Sequence, residues 1–232
     1  MAWLRYIVYF LALALLTWTL TQLEISFPGS LKLHVVAGQG DPLGRSEFSP
    51  LQIIQPLMLA ICGLLMLWVA QHCQSQRPIA LPFAGIALGF LIRELDYFMD
   101  RYLVDDLWRV LIAITGALLI TYVYRHRRRM KIAWARVWPS PGMALLFAGA
   151  LVRIAFVTQV GQEALWQSIL GADYVPVVRL AVQEFGEQLG YLLWLIGTIE
   201  YVIQAKAISH REPQPAARRR RQRRRQDKLG DF

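Results

Sequence analysis

The sequence predicts an all-α, polytopic membrane protein: a six-helix transmembrane bundle with its N- and C-termini in the cytoplasm. Three observations carry this reading. A hydrophobic content of 56%, with a mean hydropathy of +0.36, exceeds what a soluble domain of 232 residues can hide in one core. Six apolar runs approach the roughly 20 helical residues needed to cross about 30 Å of hydrocarbon. The third observation is the basic run Arg218, Arg219, Arg220, Arg221, Arg223, Arg224 and Arg225, interrupted only by Gln222, which is held on the cytoplasmic side.

The predicted spans are 3–20, 51–70, 79–99, 107–124, 141–158 and 177–204, one membrane domain over 1–210, followed by a disordered arginine-rich tail over 211–232. Unpaired backbone groups are too costly in lipid for open strands, and the runs lack the alternation of a β-barrel, so each run is a helix. The first run follows Arg5 but precedes Thr17–Glu24 without a small-x-small cleavage site, and is expected to be a retained helix. Cys62 and Cys73 are too few and too differently placed for a disulfide framework.

Lys and Arg in the connections set the direction. Segment 125–139 carries Arg125, Arg127, Arg128, Arg129, Lys131 and Arg136 without an acid, and 71–78 carries Arg77 alone; both belong inside. Segment 159–176 has no Lys or Arg, and 21–50 sets Lys32 and Arg45 against Glu24, Asp41 and Glu47; both belong outside. The expected location is the inner membrane of a bacterium. Of the formal net charge of +9, nine basic and three acidic residues at 211–232 account for +6. The tail is therefore expected to lie on anionic headgroups. No aromatic is interleaved for base stacking, so nucleic acid is not an expected partner.

Direction turns the third span into the centre of interest. At about 100° per residue, Gly85, Gly89, Arg93, Asp96 and Asp100 fall within roughly 80° of arc, with Glu94 on the far side. Gly85-x-x-x-Gly89 is expected to turn this face into the bundle. In the sixth span Gly186 and Gly190 are read the same way, with Glu184, Glu187, Tyr191 and Thr198 on the adjoining stripe, and Arg179 opens the span. Gly142 reads as a helix start, not a close contact. Arg153 lies in the outer half of the fifth span. Together Arg93, Glu94, Asp96, Asp100, Arg153, Arg179, Glu184 and Glu187 form a candidate binding cluster at one depth, with more carboxylates than arginines.

Ionisable groups at such depth are paired, face a cavity, or both. The carboxylates Asp96, Asp100, Glu184 and Glu187 are the candidate ligands of a divalent cation such as Mg²⁺ or Ca²⁺; no other cofactor is expected. The four histidines, His34, His72, His126 and His210, lie outside the spans, and no serine lies mid-span, so neither a zinc site with His ligands nor a membrane-embedded serine nucleophile is expected. Glu200, about 160° round from Glu184, reads as an isolated interfacial carboxylate. Outside the spans, 31–36 alternates like a small hairpin and 162–170 reads as a short interfacial helix; each is a lid or a connector.

Arg93-Glu94-Leu95-Asp96, together with Glu184-x-x-Glu187, resembles uncharacterised multi-spanning inner-membrane proteins of bacteria. The resemblance implies that these residues form a unit and brings no activity with it. Three functions fit: a protein that binds a small cation or polar solute in a transporter- or channel-like role, a membrane-embedded enzyme acting on a lipid or its headgroup through paired carboxylates, and a scaffold. The chain carries no catalytic signature. The orientation is testable directly. A cysteine introduced at 162–172 should react with a membrane-impermeant thiol reagent on intact spheroplasts and one at 215–230 should not; the reverse pattern would invert the topology.

Overall fold

A computed structural model describes residues 2–27, 30–31 and 50–211, and every element among them is helical. The order is α1 (Ala2–Ser26), α2 (Pro50–His72), α3 (Arg77–Glu94), α4 (Asp96–Tyr102), α5 (Leu107–Val137), α6 (Pro141–Ala150), a π-helical turn (Leu151–Phe156) leading into α7 (Val157–Val160), α8 (Glu163–Leu170), a 3₁₀ turn (Gly171–Asp173) and α9 (Pro176–Arg211). Five helices are long and apolar enough to cross a membrane: Trp3–Ser26, Pro50–His72, Leu107–Val137, Pro141–Val160 and Pro176–Arg211. The chain is a helical membrane protein. The remaining expected span is α3, whose 18 residues include Arg77, Arg93 and Glu94. The expected hairpin at 31–36 and the tail at 218–225 fall largely or wholly outside the described residues.

Local sequence explains most boundaries. Ser140 caps α6, its Oγ accepting the Met143 N–H at 3.3 Å, with Pro141 in the first turn where a missing N–H is harmless. Two boundaries differ from expectation. The third span does not run unbroken from 79 to 99: it ends at Glu94 and restarts at Asp96, which turns Asp96 and Asp100 out of the register that one continuous helix would give them. The basic segment 125–136 is not a loop but the second half of α5. Arg, Lys, Met and Ala are good helix formers, and nothing between Gly116 and Pro139 breaks the helix. At 31 residues, α5 is about 46 Å long, so it outruns a hydrocarbon layer of about 30 Å.

The core gathers Cys62, Met66 and Val69 of α2, Ile79, Ala80, Ala84 and Ala87 of α3, Ala133 and Val137 of α5, Met143 and Leu146 of α6, and Trp194, Tyr201 and Ala205 of α9. Helix α1 stands at the periphery, held where Leu20 meets Leu31 and Leu51 and where Tyr9 and Arg5 reach Glu200, at 2.8 and 3.5 Å. Glu200 is therefore a paired group and not an isolated carboxylate.

Close helix approach occurs between α6 and α9. A Cβ on Gly149 would stand 2.7 Å from the Gly190 carbonyl oxygen, one on Gly197 2.7 Å from the Leu146 nitrogen, and one on Gly142 2.8 Å from the Tyr201 nitrogen. Gly142 is thus a contact glycine after all. Gly190 and Gly186 hold their expected place, but Gly89 has nothing within 4 Å, and Gly85 faces Leu119 of α5. The inward face of α3 is the opposite one, where the buried Ala80, Ala84 and Ala87 lead up to Glu94. Alanine is small enough for this packing, so of the two α3 glycines Gly85 alone marks a close contact, against Leu119 of α5, and Gly89 does not. Gly149→Leu and Gly197→Leu should each destabilise the bundle by about 1–3 kcal/mol or more through overpacking, lowering the melting temperature in detergent, whereas Gly89→Leu should melt like the wild type.

Candidate functional site

At the end of the bundle where α3 stops, a cleft of about 210 Å³ opens between α2, the α3–α4 break, the π-helical turn and α9. Its walls include Gln52 and Gln55 of α2, Arg93 to Phe98, Arg153, and Gln183, Glu184 and Glu187 of α9. Six of the eight residues expected to form the site meet here: Arg93, Glu94, Asp96, Arg153, Glu184 and Glu187. Their two arginines and four carboxylates carry a formal charge of −2.

The floor is a hydrogen-bonded cluster around Arg153, which is only 6% exposed. Its Nη2 lies 3.4 Å from Glu94 Oε1 and 3.4 Å from Glu187 Oε1, and its Nε donates to the Tyr191 hydroxyl at 2.8 Å. Tyr191 donates in turn to Glu94 Oε1 at 2.5 Å, and Gln183 Nε2 donates to Glu187 Oε1 at 3.1 Å. The guanidinium also lies 5.5 Å from the centre of the Tyr191 ring, a cation–π distance. Partners from two helices, Glu94 of α3 and Glu187 and Tyr191 of α9, converge on the same cation, which is why a charge can be buried here at all.

The backbone delivers Arg153 to this position. It sits in the π-helical turn, whose extra residue shifts side-chain register relative to an unbroken α-helix. A Cβ on Gly190 would stand 3.1 Å from Arg153 Cβ and 3.2 Å from its backbone nitrogen. The missing side chain of Gly190 thus leaves room for the arginine backbone against α9.

Higher in the cleft, Gln55 Nε2 donates to Glu184 Oε2 at 3.3 Å, linking α2 to α9. Arg93 is exposed at the rim, and Asp96 opens α4. The other two expected residues lie elsewhere. Asp100 accepts the Asp106 N–H at 3.0 Å, closing the turn between α4 and α5. Arg179 donates through Nη1 to the Gly161 carbonyl at 3.3 Å, tying the start of α9 to the end of α7. Among the described residues, no three Asp, Glu, His or Cys side chains are close enough to hold a metal ion. The expected divalent set of Asp96, Asp100, Glu184 and Glu187 is thus not assembled, because Asp100 is turned to the α4–α5 connection.

Tyr191 and Gln55 are site residues that the charge pattern alone did not bring forward. Tyr191 lay on the Glu184–Glu187 stripe, and a glutamine within an apolar run is itself a signal that a polar partner is near. Cys62 and Cys73 are both buried, and burial pushes the Cys73 thiol above its ordinary pKa, so neither is poised as a nucleophile.

Compared with known proteins, the chain matches no family model, no curated protein and no solved structure. The pairing around Arg153 makes a quantitative expectation. Arg153→Leu leaves Glu94 and Glu187 buried without their cation and should destabilise by about 3–5 kcal/mol. Adding Glu94→Gln and Glu187→Gln should recover part of that loss. Additive losses in a denaturation series of these variants would show that the three side chains are not coupled.

Proposed function

We propose that the cleft binds a small cation or a polar solute, in a transporter-like role, from the outer face of a bacterial inner membrane. In this reading the chain spans the membrane six times, α3 being the span that carries the site, with both termini and the basic half of α5 in the cytoplasm. The observation that carries the proposal is the cleft itself: an open polar space with an excess of carboxylates at its walls, above a floor whose one buried cation is already shared by two acids. Glu184 and Asp96 add negative charge beyond what Arg153 requires. A space lined this way favours a cationic guest, because low-dielectric walls focus the field of the carboxylates. With no assembled three-carboxylate set, the guest keeps part of its water shell or presents N–H donors of its own.

One observation favours a second reading, a charge-locked scaffold: both Nε and Nη2 of Arg153 have partners, as pure packing would require. The two readings separate at the cleft walls. Asp96→Asn and Glu184→Gln keep side-chain size and leave the Arg153 cluster intact. Under the binding reading, calorimetric titration with Na⁺, K⁺, Mg²⁺, Ca²⁺ or guanidinium should show a cation affinity in the wild type that these variants lose, with melting temperatures unchanged. Lower melting temperatures with no cation bound by the wild type would support the scaffold.

A further inference from the structure

One wall of the cleft is aromatic. Helix α4 lends it Tyr97, Phe98 and Tyr102 beside Asp96. The Phe98 and Tyr102 rings lie 4.8 Å apart between centroids, and these two residues are still 56% and 57% exposed. More than half of each is left uncovered by the protein, next to a space whose walls carry an excess of carboxylates.

This combination selects among cations. A dehydrated divalent ion needs about six oxygens converging at one point, yet among the described residues no three Asp, Glu, His or Cys side chains come that close. The acids are spread out by their existing contacts: Glu94 and Glu187 face Arg153, Asp96 Oδ1 accepts the Tyr97 N–H at 2.6 Å, and Glu184 Oε2 accepts from Gln55 at 3.3 Å. A carboxylate accepts several hydrogen bonds at once, so these walls suit a guest that brings separate N–H donors to separate oxygens. Aromatic faces add little for a hydrated metal ion but attract an organic cation, through the ring quadrupole and through the burial of its carbon surface. An uncharged solute of the same shape leaves the field of the acids unused. Size gives a further bound. A water molecule occupies about 30 Å³ of liquid, so a cleft of about 210 Å³ holds about seven non-hydrogen atoms.

We infer that the cleft takes a primary alkylammonium ion, its N–H groups donating to Asp96 and Glu184 and its carbon chain lying on Phe98 and Tyr102. The inference rests on the cleft being a cation site and names the class of cation. A soluble amine and the ethanolamine headgroup of a phospholipid both present this chemistry.

The test is calorimetric titration of the full chain in phosphatidylcholine nanodiscs, which offer no N–H of their own, with n-butylammonium, K⁺, Mg²⁺ and 1-butanol. Butylammonium should bind at least about tenfold more tightly than K⁺ or Mg²⁺, the effect of burying two methylenes, and its uncharged counterpart 1-butanol should not bind. Phe98→Ala should weaken butylammonium about five- to thirtyfold with an unchanged melting temperature, and Phe98→Tyr should keep the affinity. Nanodiscs containing phosphatidylethanolamine separate the two sources: a headgroup that occupies the cleft competes with butylammonium, whereas a site for a soluble amine keeps its affinity. Equal binding of K⁺ or Mg²⁺, binding of 1-butanol as tight as that of butylammonium, or full butylammonium affinity in the Phe98→Ala protein would overturn the inference. If Asp96→Asn and Glu184→Gln still abolish cation binding in that case, the cleft reading stands without this guest; if no cation binds the wild type, both readings fail.

Discussion

The buried guanidinium of Arg153 is the constraint from which the rest of the upper bundle follows. A cation of this size cannot sit in a low-dielectric interior unless its charge and donors are met on several sides. Glu94 from α3, Glu187 and Tyr191 from α9 meet them, and in doing so fix how far apart those helices stand. The same arrangement leaves an opening. Both acids and the phenol approach within the cluster, and the space above them is lined also by Gln55, Glu184 and Asp96. The cleft is a consequence of satisfying the arginine.

Bringing the arginine in requires two features of the α6–α9 pair acting together. Glycines at Gly142, Gly149, Gly190 and Gly197 let two backbones touch without intervening side chains, the close approach by which helices associate in lipid. The π-helical turn then places Arg153 on the inner side of that contact. Lower down, the same face of α9 carries Trp194, Thr198 and Tyr201 where an apolar face would have been simpler to bury.

Much of the architecture was legible in the chain because lipid imposes long apolar helices, and length and hydropathy report them without reference to neighbours. The level of the charges along the bundle was legible too, since helical rise fixes it, and this is why six of the eight expected residues share the cleft. Azimuth was not. A helical wheel describes one continuous helix, and the break at Leu95 separates Asp96 and Asp100 from the residues below them. The glycine spacing of α3 was right for Gly85, which meets Leu119 of α5, and wrong for Gly89, because Ala80, Ala84 and Ala87 carry the packing on the opposite face. Gly142 was discounted for standing at a helix start, yet it meets the middle of α9. Nor can composition alone tell a basic loop from a basic helix, which is how the second half of α5 was missed.

The central claim is that the cleft is open to water and that its carboxylates set its preference for positive charge. Ile53 lines it and is exposed, so an Ile53→Cys side chain samples the cleft potential against a background of two buried native thiols. The most direct measurement is the ratio of its reaction rates with a cationic and an anionic methanethiosulfonate reagent of similar size. Field focusing in a negatively charged cleft predicts a cationic preference of about tenfold or more, beyond the ratio for a free thiol, that shrinks when Asp96→Asn and Glu184→Gln are added. A ratio equal to that of a free thiol, unchanged by those substitutions, would contradict the account.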